Sequence, residues 1–461
     1  MEQLLQFIPA FSFKFFHKTR FMILLITTLC LTFVLSNVVV FNFLILCIRV
    51  DSEMDLGNHT LVFGFNSPPI TPLKQGWLLS APGLGSLIGE VILSRSDDTV
   101  SFRALFTVYG LITATSTALI PIVSIFSFSV FFGLRILQGL PIALIRRAID
   151  VASSNWILKS QKNQSLTVMY CSLFLAHIYS MPLAAGFLCL RTGWQAVCYI
   201  LAGSSYLAFL SFYALFRDSL KNYRCVSSQE LALILKNNRH SPKQPVPYKC
   251  LVRSASSWGI LTAYFGFILV VNMIIQFGPT YLHQVLKYDL QKTGIAMAMP
   301  PLLALIPSFY MDSLSSFIPY LNAKTKIIIF GLISQGSIAA SLLSMAFLST
   351  TVTRYFLFVM IAFWGTFFIG GPIKSARFIA GEHRHVFTSY GFIIHDFTSL
   401  VFPVVMATYV PENMPENWSA TLVVVAIIVI FCGGVFSFVA EATRQAWAKY
   451  GASVYPMEDM T

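Results

Sequence analysis

Charge is what this chain has least of. Only 11% of its 461 residues are Asp, Glu, Lys or Arg, against 56% hydrophobic, and mean hydropathy is +0.72. A soluble domain of this length needs more charge to cover its surface, so that class is excluded. Motifs that carry chemistry are also lacking. There is no phosphate loop, no GxSxG nucleophile turn and no HExxH helix. Among the eight cysteines (Cys30, Cys47, Cys171, Cys189, Cys198, Cys225, Cys250 and Cys432) no CxxC and no Cys/His ligand spacing occurs. They read as small buried hydrophobes rather than a disulfide frame or a metal site. No enzyme activity, metal or cofactor is expected. A cleavable leader is also missing: the first apolar run begins at Phe21, is too long for a signal peptide, and has no small-residue cleavage site.

What is present is a series of apolar runs near 20 residues, the length a helix needs to cross a bilayer. They predict an all-α membrane protein with twelve spans: Phe21–Ile48, Gly76–Leu93, Ala104–Val123, Phe126–Ala148, Leu166–Leu188, Trp194–Phe216, Trp258–Phe277, Gly294–Leu314, Ile327–Leu348, Tyr355–Ile373, Phe387–Val410 and Trp418–Ala440. The chain divides into an N-terminal tail (1–20), six helices (21–216), a basic linker (217–257), six more helices (258–440) and a C-terminal tail (441–461).

The net charge of +12 suggests nucleic acid only superficially. With the N-terminus in the cytoplasm, about 24 of the 31 Lys and Arg fall on the cytoplasmic side. Both tails and the linker are then cytoplasmic. Asn58-His59-Thr60 falls in the longest non-cytoplasmic loop and is the expected glycan acceptor. Asn417-Trp418-Ser419 is on that side but close to the bilayer, and Asn163-Gln164-Ser165 is on the wrong side. The partners expected are the lipid bilayer and a small solute, not nucleic acid, for a monomer.

Arg135 is the residue that points to function. It lies near the middle of the fourth run, where an arginine costs a few kcal/mol or more and rarely faces lipid. It either binds something negative in a polar cavity or pairs with a buried carboxylate for structure alone. Gln138 lies one turn further on the same face, as a second donor to an anion or as a bond between helices.

Six helices, a basic loop and six helices is the 6+6 plan of the major facilitator superfamily, whose substrates bind at the midplane between two rocking halves. Arg135-Ile136-Leu137-Gln138-Gly139-Leu140 resembles the fourth-helix motif of the anion–cation symporters (solute carrier family seventeen). Gln75-Gly76-Trp77-Leu78-Leu79-Ser80, Thr192-Gly193-Trp194, Pro279-Thr280-Tyr281-Leu282, Lys292-Thr293-Gly294, Pro300 and Gln445-Ala446-Trp447-Ala448 resemble other segments of that family in order and spacing. Departures stand beside them. The family's fourth-helix glutamate position is Ile142, its first-helix arginine position Val40, its second-helix histidine position Leu79 and its seventh-helix arginine position Phe267. The resemblance therefore implies a transporter fold and carries over Arg135, without proton coupling or glutamate-type selectivity.

Other polar positions in the spans are weighed on chemistry. Asn42, Asn272 and Gln276, with Tyr264, are candidate cavity linings. Asp396, Glu90 and His177 are candidate proton or ion-coupling groups, each with a plain structural alternative. Arg146 reads as a positive flank paired with Asp150 at i+4. Asp312 reads as a gate or structural residue. The expected function is secondary transport of a small organic or inorganic anion, coupled to H+, to Na+ or to neither. The membrane is the plasma membrane or that of an endolysosomal or secretory vesicle. The alternative is a non-transporting scaffold or receptor derived from such a transporter.

Overall fold

The computed structural model describes residues 18–55, 71–95, 101–123, 127–158, 161–185, 193–218, 226–237, 246–317, 320–411, 413–445 and 447–448. Twelve helices there are long and apolar enough to cross a membrane. They are α1 (Thr19–Ile48), α2 (Pro72–Arg95), α3 (Phe102–Val123), α4 (Phe128–Trp156), α5 (Gln164–Leu183), α6 (Trp194–Leu215), α7 (Ala255–Val285), α8 (Leu290–Leu314), α9 (Ala323–Phe347), α10 (Thr351–Ala380), α11 (Arg384–Tyr409) and α12 (Pro415–Val439). No strand occurs among the described residues. The protein is an integral multi-pass membrane protein.

Several helices run past the apolar stretch that announces them. Helix α4 continues through Arg146, Arg147 and Asp150 to Trp156, and α10 through Lys374 and Arg377 to Ala380. Hydropathy marks where lipid ends, but the backbone hydrogen bonds continue into the polar flank. Pro141 shapes α4 locally: it lacks an N–H, and residues Leu140–Ala143 tighten into a 3-10 turn.

The two halves are built alike. In the first, α1 packs on α5 and α6, and α3 on α4 and α6. In the second, α7 packs on α11 and α12, and α9 on α10 and α12. The halves meet mainly along two pairs, α2 with α11 and α5 with α8, with a smaller contact between the end of α1 and α7. At one end these pairs are locked by missing side chains. A Cβ on Gly76 would lie 2.7 Å from Ala407 Cβ and 2.9 Å from Pro403 O, and one on Gly294 would strike Ala185.

The linker is not mere spacer. It contains a helix, Ser228–Asn237, whose Glu230 is buried and accepts from the backbone N–H of Thr19 (3.2 Å) and Arg20 (3.1 Å). A carboxylate at these orphan donors caps α1 and complements its dipole. The cysteines need one correction. Cys47, at the opposite end of α1, is disulfide-bonded, to a partner outside the described residues. Cys30, Cys171, Cys198 and Cys432 are buried free thiols. Spacing alone carries no sign of such a bridge.

Candidate functional site

Arg135 is completely buried. Helices α2 and α4 approach backbone to backbone around it, because a Cβ on Gly85 would strike Ile136 O and one on Gly139 would strike Pro82 O. That contact sets the guanidinium against two carbonyls freed by irregular backbone. Pro82, inside α2, has no N–H for the carbonyl four residues back. That carbonyl, Leu78 O, accepts from Arg135 Nε at 3.2 Å. Helix α1 is interrupted at Val40. In the turn before the break, Val38 O accepts from Arg135 Nη1 at 3.3 Å and Asn37 O from Gln138 Nε2 at 3.3 Å. The third acceptor is Gln138 Oε1, 2.5 Å from Nη1.

Gln138 is itself fixed, since Nε2 also donates to Thr117 Oγ1 at 2.8 Å. Both its amide donors are engaged between helices. The Phe41 ring lies over the guanidinium, 4.3 Å from Cζ to centroid, a cation–π contact. No ion pair joins Arg135 to a carboxylate among the described residues. Of the five guanidinium N–H groups, the one on Nε and the two on Nη1 are in use. Those on Nη2 donate to no protein group there.

A second polar centre crosses between the halves. Asp396, buried on α11, accepts from Ser86 Oγ on α2 at 2.7 Å, with His395 Nδ1 3.2 Å from its other oxygen. One turn along α2 from Ser86, Glu90 Oε2 is 3.8 Å from Arg146 Nη2 on α4. Arg146 thus pairs across helices rather than with Asp150 on its own helix, and Glu90 has the partner its sequence neighbourhood does not reveal. Both side chains are about a quarter to a third exposed (26% and 31%).

The remaining candidates are spread out. Asn42 Nδ2 donates to Ile275 O at 3.0 Å, tying α1 to α7 across the halves. Asn272 Nδ2 donates to Thr398 Oγ1 at 2.7 Å and Gln276 Nε2 to Ser399 Oγ at 2.8 Å, two rungs between α7 and α11. Gln276 Oε1 is buried with no partner. Tyr264 packs edge-on against Phe368. His177 Nδ1 lies 2.9 Å from Leu173 O on its own helix, so this nitrogen carries the proton; Nε2 is buried with no partner. Asp312 binds Arg377 at 2.6 Å. Asn58 lies outside the described residues. Sequence reasoning missed Phe41, Ser86 and the acceptors Leu78 O and Val38 O. Pro82 is the signal that would have found one of them.

With the geometry in hand, comparison decides the family. Residues 24–437 match the Major Facilitator Superfamily. The chain belongs to that superfamily. Its curated relatives are transporters, not enzymes. It is 24% identical to sialin of Ovis aries over 391 residues, covering 81% of this chain and 77% of sialin. It is 24% identical to sodium-dependent phosphate transport protein 1 of Homo sapiens over 392 residues, 82% of each chain. These are members of the anion–cation symporters that the fourth-helix motif resembles. Among solved structures, a bacterial homologue of the lysosomal transporter Spinster, inward-facing and unoccupied, matches with a TM-score of 0.69 at 12% identity, over 92% of this chain and 97% of that one. That likeness concerns the fold alone.

Proposed function

We propose that this superfamily transporter carries small anions by alternating access, with Arg135 as the central anion-binding group. One observation carries the reading: a fully buried guanidinium held by three neutral acceptors, with no carboxylate beside it and Nη2 unengaged among the described residues. Neutral acceptors orient a charge without cancelling it. In a low-dielectric interior an uncancelled charge draws an anion strongly. The name of one relative, a sodium-dependent phosphate transport protein, supports an anion as cargo and includes sodium dependence.

Coupling, to H+ or Na+, falls to Asp396 and Glu90, the carboxylates where α2 meets α11 and α4. The tight packing at Gly76 and Gly294 is the closed gate of one state. By the positive-inside bias that gate faces away from the cytoplasm. The Cys47 disulfide, at the same end of α1, agrees, since disulfides persist on the extracellular or luminal side. The membrane is the plasma membrane or an endolysosomal or secretory one.

The test is uptake of a panel of labelled anions into proteoliposomes under imposed proton and sodium gradients. The proposal requires saturable uptake of at least one anion that is lost in Arg135→Gln. Uptake of every anion no faster than in protein-free liposomes overturns it.

A further inference from the structure

The surroundings of Arg135 also restrict what kind of anion fits, given the anion-transport reading above. Arg135 is the single buried lysine or arginine among the described residues. The nearest polar side chain, Gln138, has both amide donors committed to Thr117 and Asn37. Available donors therefore reduce to the two N–H groups of Nη2, enough for one carboxylate and too few for a phosphate. The one buried carboxylate within the spans, Asp396, is hydrogen-bonded to the same helix, α2. A second negative charge on the cargo would have no cation to meet it and a carboxylate to repel it.

The rest of the surroundings is apolar. Phe41 covers the guanidinium face and meets Phe131 edge-on at 5.4 Å. Val40, Leu79 and Phe131 belong to the same buried cluster. We infer that the cargo is a monovalent carboxylate with an aromatic body. Its carboxylate takes Nη2, and its ring takes a place against Phe41, which swings off the guanidinium face to admit it. Phe41 is then a specificity-determining residue.

The test uses the purified full-length protein in lipid nanodiscs, titrated at neutral pH with sodium benzoate, sodium phthalate and sodium orthophosphate. Benzoate should bind about tenfold or more tighter than either of the others. Phe41→Leu, which keeps apolar bulk but removes the ring, should weaken benzoate about threefold or more. Cyclohexanecarboxylate, which has no ring face to stack, should be weakened less than benzoate by the same change. Thermal melting of each variant checks folding, and the wild-type ranking needs no variant. Phthalate or orthophosphate binding as tightly as benzoate, or no binding of benzoate, overturns the inference. If the preferred anion is a dianion whose binding still vanishes in Arg135→Gln, the monovalent inference fails and the Arg135 site stands. If binding is the same in Arg135→Gln and wild type, both fail.

Discussion

Ser86 on α2 donates a 2.7 Å hydrogen bond to Asp396 on α11, from one six-helix half to the other. Two turns earlier on α2, Leu78 O holds Arg135. One helix thus carries both the anion-binding candidate and the contact to the coupling candidate. An anion at Arg135 and a proton at Asp396 would each act on α2.

Asp396→Asn keeps an acceptor for Ser86 but cannot gain a proton. Ile142 stands at the position where the family resemblance implies a glutamate, so that position of α4 offers no carboxylate to take over. Proton-driven uptake should fall to the level of passive exchange in Asp396→Asn, in Glu90→Gln, or in both, while anion exchange continues. Measuring uptake and exchange on the same proteoliposomes decides it. Strong proton-driven uptake that survives both substitutions contradicts this assignment.

Pro82→Ala tests the origin of the guanidinium cradle. It supplies an N–H that competes for Leu78 O, the acceptor of Arg135 Nε. The helix gains a hydrogen bond while the guanidinium loses sole use of its acceptor. Thermal stability should hold or rise, and anion affinity should drop about two- to tenfold. Unchanged affinity would mean that Leu78 O is incidental.

Two glycines on α4 should respond oppositely. A side chain at Gly139 strikes Pro82 O, backbone that cannot yield, whereas nothing lies within 4 Å of a Cβ at Gly133. Gly139→Val should destabilise by about 1–3 kcal/mol through overpacking. Gly133→Ala should be neutral or stabilise by up to about 1 kcal/mol. Melting curves in one detergent compare them directly. Equal effects would mean that α2 and α4 do not cross as described.

Topology has its own check. Tags at either terminus or within 217–257 should be reached only after permeabilisation, in cells where the protein is at the surface, and Asn58→Gln should remove the main glycan. A linker tag reached from outside an intact cell reverses the orientation.

The sequence made twelve spans legible because apolar length is a direct demand of the bilayer. Arg135 was legible because charge is rare there, and the Gln138 face followed from helical spacing. What escaped depends on tertiary placement. Phe41 is one of 42 phenylalanines, and nothing local marks it as the one over the guanidinium. Ser86 looks like any small polar residue until α11 arrives. Arg146 has an obvious sequence partner in Asp150, yet packing brings it to Glu90. Val38 O is a backbone atom, exposed to use only because α1 breaks two residues later.

The central claim rests on Arg135, and its most direct measurement is anion uptake with membrane expression quantified on the same samples of wild type, Arg135→Lys and Arg135→Gln. Three acceptors surround the side chain, Leu78 O, Val38 O and Gln138 Oε1. A lysine ammonium has only three donors, so satisfying them leaves nothing for an anion, whereas the guanidinium keeps Nη2. Both variants should reach the membrane at near wild-type levels. Uptake should be abolished in Arg135→Gln and reduced in Arg135→Lys by about ten- to a hundredfold, the worth of a charge-assisted pair. Normal expression with normal uptake in Arg135→Gln would contradict the account and remove Arg135 from the mechanism.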